Sequence, residues 1–328
     1  MLSMPAPFFT IIMPNYKTEM YLEEALMSVR SQTYVDFECI LVNDGSPGLN
    51  IEEIEVYSKD TDFKNSVDIR GLLGAEQWKA IYDNVVENDS RFRFFDKENG
   101  GQGSARNLAL DHARGEFVVF LDCDDAYALD HLEKLHGYLM AQSSRWADTL
   151  FTFGDVKEFG VEGGVKVYRQ TPMIEQVAAH PTYRTYLVLN ETGLSCCTVH
   201  RDLLGDLRFT WLTKSMEDVE IVYRLGAKIL TDGQKLNFVR LPVDTVHRRL
   251  HDGSITFADA QNGFEKEKVD KIAAYKNLLS IHDLPWVESW LCRLGVWRFE
   301  ISGRYGGIGK IAKKILTLKA KIISGWYI

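Results

Sequence analysis

The chain has 328 residues, of which 45% are apolar and 26% are charged, and its formal net charge is −8 at pH 7. These values are ordinary for a globular enzyme, and the acidic balance argues against a surface that binds nucleic acid. The five cysteines form no Cys-x-x-Cys pair and no metal spacing with histidine, so we expect reduced thiols. No signal peptide and no bilayer-spanning run is visible, which predicts a cytoplasmic protein.

Hydrophobic patterning predicts alternating strands and helices over the first half of the chain. Short uninterrupted apolar runs are typical of strands buried on both faces of a parallel sheet. The predicted elements, in chain order, are strand 8–13, helix 19–31, strand 37–42, helix 75–86, strand 91–95, helix 104–112, strand 117–121, helix 130–141 and strand 149–153. This order predicts an α/β fold: a mostly parallel, doubly wound sheet with helices on both faces.

Two parts of the chain depart from this alternation. Residues 49–73 are polar and rich in both charge signs, so we predict an irregular insertion there. Beyond residue 154 the pattern is weaker. We expect a hairpin turn at 160–164, an amphipathic segment at 217–225, a strand at 235–240 and helices at 265–279 and 286–299.

The segment 304–328 has a composition of its own. It contains six cations and no acid, and Ile308, Ile311 and Ile315 begin an apolar face at helical spacing. A basic amphipathic helix that ends in Trp326 and Tyr327 is typical of segments that bind an anionic membrane surface. The alternative is a helix packed on the body of the protein with its lysines in solvent.

Polar side chains follow four of the predicted strands at their carboxyl ends. The four loops are Pro14-Asn15-Tyr16, Asn43-Asp44-Gly45-Ser46, Asn99-Gly100-Gly101 and Asp122-Cys123-Asp124-Asp125. Parallel strands bring such loops to one edge of the sheet, where open α/β folds bind ligands. The carboxylates of the last loop repel one another unless a cation lies among them. Together the loops predict a nucleotide site with a metal, whereas the acidic loop alone fits a solvated turn equally well.

These loops resemble the motifs of the family 2 glycosyltransferases. The matching segments are Ile-Met-Pro-Asn-Tyr at 12–16, Val-Asn-Asp-Gly-Ser at 42–46, Asn-Gly-Gly at 99–101 with Ala-Arg-Asn at 105–107, Gly-Glu-Phe at 115–117, Leu-Asp-Cys-Asp-Asp at 121–125, Met-Glu-Asp-Val at 216–219, and His-Arg at 247–248 with Ser-Ile-Thr at 254–256. The resemblance covers about residues 8–256 and implies an inverting enzyme of the GT-A fold. Such enzymes use a nucleotide-sugar donor and Mn²⁺ or Mg²⁺. The insertion 49–73 is longer than the usual link, and the Gln-x-x-Arg-Trp sequence of processive members is missing.

The resemblance also implies roles for particular residues. Asp218 is the expected general base, with a helix N-terminal carboxylate as the alternative. Asp124 is the expected direct metal ligand, and Asp122 is expected to bind metal or ribose. His247 is expected to be a third metal ligand or a diphosphate contact, unless it is structural. The residues expected at the nucleotide-sugar are Pro14, Tyr16, Asp44, Gly100, Arg106, Asp122, Cys123, Glu217 and Arg248.

The nucleotide is expected to be uridine diphosphate, with Tyr16 against the base and Asp44 on the base or ribose. Arg106 faces the diphosphate or lies on a helix surface, and Asp125 is expected to cap the turn that follows it.

We predict a GT-A domain over residues 1–256, with a donor half at about 1–125, an acceptor half at about 126–256 and the insertion at about 49–73. A helical extension at 257–328 follows and ends in the tail 304–328.

Bacterial relatives build capsule, lipopolysaccharide or exopolysaccharide. The resemblance therefore implies a glycan or lipid-linked acceptor and a peripheral position at the inner face of the cell membrane.

Other classes of protein share parts of this pattern. Haloacid-dehalogenase phosphatases carry Asp-x-Asp after an apolar strand, but they need Thr or Val where this chain has Ala126, and they place the motif on the first strand. Nucleotidyltransferases have a basic glycine-rich loop after the first strand, which this chain lacks. A binding protein of the same fold without turnover has no need of Asp122, Asp124 and Asp218.

Overall fold

The computed structural model describes residues 6–60, 67–70, 72, 74–141, 150–153, 156–162, 165–170, 194–210, 217–232, 237–240, 245–251, 265–281 and 289–297. The strands are β1 (Phe9–Asn15), β2 (Phe37–Asp44), β3 (Phe92–Lys97), β4 (Phe117–Phe120), β5 (Ala126–Tyr127), β6 (Leu150–Phe153), β7 (Val156–Glu162), β8 (Val165–Gln170), β9 (Cys197–His200), β10 (Asn237–Arg240) and β11 (Val246–Arg249). The helices are α1 (Glu19–Arg30), α2 (Ile51–Asp60), α3 (Ala75–Val86), α4 (Gln102–His112), α5 (His131–Ala141), α6 (Arg201–Leu204), α7 (Glu217–Thr231), α8 (Glu265–Leu279) and α9 (residues 289–297). The predicted tail 304–328, the Ser-Ile-Thr segment at 254–256 and the predicted boundary at 256–257 lie outside these residues.

A seven-stranded sheet forms the centre of the fold. Its order is β10, β6, β9, β4, β1, β2, β3. Its strand pairs run parallel except those of β9, which lies antiparallel between β4 and β6. Every residue of β1 is buried, as expected for a strand that is covered on both faces. The structure thus confirms the predicted mostly parallel α/β sheet, and β9 is the strand that departs from a fully parallel arrangement.

A smaller sheet lies beside the loop that follows β4. Its order is β5, β11, β7, β8, and β7 pairs antiparallel with β8, which confirms the predicted hairpin. Residues 160–162, predicted as part of the turn, belong to β7, and residues 163–164 lie outside the described residues. Strand β11 pairs antiparallel with β5 and parallel with β7. This pairing brings residues near 250 to the carboxyl end of β4.

The insertion is more regular than its composition predicts. Residues 51–60 form α2, so the prediction of an irregular segment is wrong there. The helix begins with a capping box: the Glu53 backbone N–H donates to Oδ1 of Asn50 at 2.8 Å, and the Asn50 N–H donates to Oε2 of Glu53 at 2.9 Å. The Asn-x-x-Glu pattern that marks the start of this helix is visible in the sequence. The prediction overlooked it because the segment is polar and rich in both charge signs.

Helix α8 packs against α7 through side chains of both helices. The rings of Tyr223 and Tyr275 stack with centroids 5.5 Å apart. The Asn277 amide donates to the buried Oε1 of Glu220 at 2.7 Å. Among the described helices, none combines the length and the apolar character that crossing a membrane requires.

Candidate active site

The acidic loop after β4 is fixed by its third carboxylate. Asp125 is buried, and its two oxygens accept hydrogen bonds from the Arg249 backbone N–H at 3.0 Å and the Ser195 hydroxyl at 3.1 Å. Burial, followed by the charges of Asp124 and Asp122, raises the pKa of Asp125 well above its usual range. The expected capping role of Asp125 is therefore wrong, because this carboxylate ties the loop to β11 and to residue 195.

Asp124 meets a histidine, but it is not the predicted one. Nε2 of His251 lies 3.1 Å from Oδ2 of Asp124, whose side chain is 25% exposed. His247 lies within β11 opposite Ala126, and its ring packs 6.4 Å from that of Phe159. The structure therefore brings His251, four positions further along the chain, to the Asp-x-Asp pair. Sequence reasoning missed it because His247, not His251, stands in the His-Arg motif.

Arg106 joins the acidic loop to the start of α7. Its guanidinium donates to Oδ1 of Asp122 at 2.7 Å and to Oε1 of Glu217 at 3.1 Å, and it lies 5.5 Å from the centre of the Phe209 ring. The side chain of Arg106 is only 2% exposed, so the alternative of a helix-surface arginine is wrong. Burial raises the pKa of Glu217, and the nearby Arg106 opposes this shift.

Asp218 lies in the first turn of α7, next to this cluster. It is half-buried, and its Oδ1 accepts a hydrogen bond from the Val219 N–H at 2.8 Å. Burial, and then the charge of Glu217, raises the pKa of Asp218 to about 7. A carboxylate with a pKa near neutral pH can accept a proton more readily than an ordinary aspartate, which is what a general base requires.

The carboxyl ends of β1, β2, β3 and β4 form one edge of the sheet, which we call the rim. At the end of the rim away from the acidic loop, Asp44 organises the glycine-rich loop. Its carboxylate is buried and accepts hydrogen bonds from Nζ of Lys97 at 2.6 Å, from the Gly100 N–H at 3.0 Å and from the Gly101 N–H at 2.7 Å. Tyr16, by contrast, is 42% exposed at the end of β1. The predicted contact of Asp44 with base or ribose thus involves a carboxylate that already holds the loop before α4.

A ladder of amides crosses the same rim. The Asn15 amide donates to Oδ1 of Asn43 at 3.0 Å, and the Asn43 amide donates to Oδ1 of Asp96 at 2.7 Å. The hydroxyl of Thr18 donates to Oδ1 of Asn15 at 2.7 Å. These bonds fix the ends of β1, β2 and β3 relative to one another. Sequence reasoning assigned no role to them, although Asn15 and Asn43 stand in the motifs.

The remaining predicted residues lie in β1, in β11 and in the loop after β4. Pro14 is buried in β1, in register with Val42. Cys123 is buried, and burial raises the pKa of its thiol well above the usual range, so the side chain is an unreactive part of the core. Arg248 is half-buried in β11, in register with Glu158.

The chemistry of the acidic loop fits a divalent cation. Asp124 and His251 offer a carboxylate oxygen and an imidazole nitrogen, both of which Mn²⁺ accepts, and Asp122 follows the same strand. Within the described ranges, no three His, Cys, Asp or Glu side chains converge as a complete metal cage. An ion bound by a carboxylate and an imidazole would complete its coordination with water and with phosphate oxygens.

Comparisons with known proteins agree on one family. The model of glycosyl transferase family 2 matches residues 10–70 and 76–158. An uncharacterized glycosyltransferase of Haemophilus influenzae is 28% identical over 244 residues, which are 73% of this chain and 81% of that protein. The minor teichoic acid biosynthesis protein GgaB of Bacillus subtilis is 26% identical over 85% of this chain, but the match spans only 29% of its own length.

Solved structures resemble the whole architecture. Residues 1–349 of Staphylococcus aureus TarS, in complex with UDP, give a TM-score of 0.55 at 18% identity, over 90% of this chain and 72% of that one. The mannosyltransferase PcManGT of Pyrobaculum calidifontis, in complex with GDP-Man and Mn²⁺, gives a TM-score of 0.55 at 14% identity, over 99% of this chain and 77% of that one. At these identities the likeness shows the fold alone, and it confirms the predicted GT-A architecture.

Proposed function

We propose that the chain is a family 2 glycosyltransferase and that it transfers a sugar from a nucleoside diphosphate to an acceptor hydroxyl with inversion at the anomeric carbon. The observation that carries this proposal is the chain of contacts from the acidic loop to α7. Asp122 and Glu217 share Arg106, and Asp218 follows Glu217 directly. A cation-binding loop and a carboxylate of raised pKa are thereby held in one rigid unit. These are the two parts that a single displacement requires.

In the proposed reaction, Asp218 removes the proton of the acceptor hydroxyl. The hydroxyl oxygen forms a bond to the anomeric carbon while the bond from that carbon to the diphosphate oxygen breaks. Asp124 and His251 would hold Mn²⁺ or Mg²⁺, which when bound neutralises charge on the leaving diphosphate, and Asp122 would bind the ribose or reach the ion through water. Arg106, with both of its carboxylates satisfied, positions Asp122 and Glu217 rather than contacting the donor directly.

We propose a uridine diphosphate sugar as the donor. Tyr16 is exposed at the carboxyl end of β1, where its ring can stack on the base, and Asp44 with the Gly100 loop lies at the end of the neighbouring strand. TarS has been crystallised with UDP and with UDP-GlcNAc. PcManGT was crystallised with GDP-Man, so a guanosine diphosphate sugar is the alternative donor. A panel of nucleotide-sugars must distinguish it from the uridine diphosphate sugar.

The acceptor proposed here is a glycan or lipid-linked saccharide of the bacterial cell surface, as in capsule, lipopolysaccharide or exopolysaccharide synthesis. GgaB, a relative over most of this chain, is named for minor teichoic acid biosynthesis. The six cations of residues 304–328 support a position beside an anionic membrane at its inner face.

A panel of nucleotide-sugars with Mn²⁺ tests this function. The full-length protein should hydrolyse one donor of the panel slowly in the absence of acceptor, and Asp124→Ala should remove that activity. Release of pyrophosphate from a nucleoside triphosphate and a sugar phosphate would instead identify a nucleotidyltransferase. Tight binding without turnover of any donor, with or without saccharide acceptors, would identify a binding protein of the same fold.

A further inference from the structure

The insertion that begins at residue 49 leaves the sheet and returns to it at one point. Gly48 and Gly74 both have positive φ, +76° and +54°, and a Cβ placed on Gly48 would lie 2.9 Å from the Gly74 nitrogen. The buried Gln77 side chain joins the two ends: its Oε1 accepts from the Leu49 N–H at 2.7 Å, and its Nε2 donates to the carbonyls of Leu49 at 2.8 Å and Leu72 at 3.0 Å. The two ends of the insertion, at residues 48–49 and at residues 72 and 74, therefore lie side by side and are held together by Gln77; we call this junction the base of the insertion.

Helix α2 starts at this base and contacts the loop that carries Tyr16. Oε1 of Glu53 lies 3.1 Å from Nζ of Lys17, the residue after Tyr16. Glu53 is also held by the capping box with Asn50, so its carboxylate cannot move far from the N-terminus of α2. The ion pair thus links a rigid helix end to the turn at the end of β1.

The turn at Lys17 depends on its surroundings for its shape. Lys17 has φ of 57°, a left-handed conformation that is uncommon for a residue with a side chain. Its backbone N–H donates to Oγ of Ser46 at 3.0 Å, and Ser46 donates in turn to the buried Glu19 at 2.5 Å. The backbone directly after Tyr16 is therefore held by the loop after β2 through Ser46, and the Lys17 side chain is held by α2 through Glu53.

We propose that the Lys17–Glu53 ion pair makes α2 a wall of the nucleoside site and fixes Tyr16 for stacking on the donor base. Lys17 and Glu53 are positioning residues for nucleotide affinity and base selectivity, and they take no part in the transfer step. This inference rests on the proposed function, because it requires Tyr16 to face the base.

The exposure of the pair separates this role from a purely structural one. The side chains of Lys17 and Glu53 are 39% and 30% exposed, and ion pairs of this kind contribute little to the stability of a fold. Breaking the pair should leave the folded protein intact and change only how firmly Tyr16 is held. The effect is expected in nucleotide binding. A Tyr16 side chain that is already ordered loses less conformational entropy when the base binds, so the affinity is higher.

Calorimetric titration of the full chain with UDP, GDP and dTDP in Mn²⁺ tests the inference. Lys17→Ala and Glu53→Gln should each weaken UDP binding by ~3–5-fold, reduce the preference among the three nucleotides, and raise KM for the donor with little change in kcat. Lys17→Arg, which can keep the ion pair and leaves the capping box of Asn50 and Glu53 intact, should bind UDP nearly as the wild type does. Lys79→Ala breaks a comparable surface pair with Asp83 on α3 and should bind UDP as the wild type does.

Three results would overturn the inference. Wild-type affinity and selectivity in both single variants would show that α2 has no role in the site. A loss in Lys17→Ala alone, with wild-type binding in Glu53→Gln, would mean that Lys17 touches the ligand itself and that Glu53 is incidental. If the wild type binds none of the three nucleotides, the proposed function fails together with this inference, whereas the first two results leave that function standing.

Discussion

Nε2 of His251 lies 3.1 Å from Oδ2 of Asp124, across 127 positions of the sequence. The contact exists because β11 pairs with β5, the two-residue strand that follows the acidic loop. The backbone of Arg249 bonds Asp125 at the same place, so the end of β11 and the end of β4 form one unit. A metal at the Asp-x-Asp pair therefore has a histidine within reach that the motif itself does not contain.

The first prediction concerns this histidine. Asp124→Ala should abolish Mn²⁺-dependent binding of UDP, and His251→Ala should weaken it by at least ~10-fold, because each removes one ligand from an ion with few protein ligands. Calorimetry with and without Mn²⁺ measures both effects. His247→Ala is the matched control and should retain the metal dependence. Unchanged binding in His251→Ala, together with loss in His247→Ala, would restore the assignment that the motif alone suggests.

The difference between the two histidines shows what the sequence could and could not predict. Uninterrupted apolar runs predicted the central strands, since a strand covered on both faces has nowhere to place a polar side chain. The order of the motifs predicted which loops meet at the rim. The partner of Asp124, however, depends on the register between β5 and β11, and no pattern in either short strand encodes that register.

Arg106 shows the same limit on a helix. The helical pattern of α4 locates Arg106, but the residues that cover it, Phe209 and Glu217, come from more than a hundred positions later in the chain. Its burial is a tertiary property. By contrast, the capping box of α2 is local, and a search for Asn-x-x-Glu would have predicted that helix from the sequence.

The second prediction concerns the general base. Asp218→Asn keeps the size of the side chain but removes its ability to accept a proton. Turnover should fall by ~10²-fold or more while donor affinity changes little, because the donor is bound before the proton moves. Steady-state kinetics with the identified donor, combined with UDP calorimetry, separates the two quantities. Weakened donor binding with intact turnover would make Asp218 a donor-site residue instead.

The third prediction is the pH dependence of the same step. The raised pKa of Asp218, about 7, means that the carboxyl is mostly protonated at pH 6 and mostly charged at pH 8. Since only the charged form accepts a proton, kcat/KM, which reports the pKa of the free enzyme, should rise ~tenfold per pH unit in the acid range and level off above about pH 7. The residual activity of Asp218→Asn should lack this limb. A flat profile in the wild type from pH 5 to 8 would contradict the assignment.

The fourth prediction concerns the stability that Arg106 provides. Arg106→Ala leaves the buried Glu217 without its opposite charge, and loss of one partner from a buried pair costs about 3–5 kcal/mol in the free energy of unfolding. Urea denaturation measures this loss. Replacing both residues, Arg106→Met with Glu217→Gln, should recover a large part of it. Lys134→Ala, which breaks an exposed pair with Asp130, should cost about 1 kcal/mol or less. Equal stability of Arg106→Ala and Lys134→Ala would show that the cluster is not a stabilising unit.

The fifth prediction concerns where the enzyme works. Six cations without an acid in residues 304–328 should attract anionic headgroups, at about 1 kcal/mol for each cation that reaches the surface. The isoleucine face and Trp326 can then enter the headgroup boundary. Deleting residues 306–328 should move the protein from the membrane to the soluble fraction and spare transfer to a short soluble acceptor.

A charge variant keeps this last test decisive if the deletion fails to fold. Lys313→Glu with Lys314→Glu lowers the charge of the tail by four while leaving its apolar face intact, so binding to liposomes that contain anionic lipid should weaken strongly. Binding of the wild type should also fall as salt is raised, because the attraction is screened. Two results would mean that the tail packs on the body and that its lysines face solvent. One is liposome binding that survives both the substitutions and high salt. The other is a deletion that unfolds the protein while the charge variant binds liposomes as the wild type does.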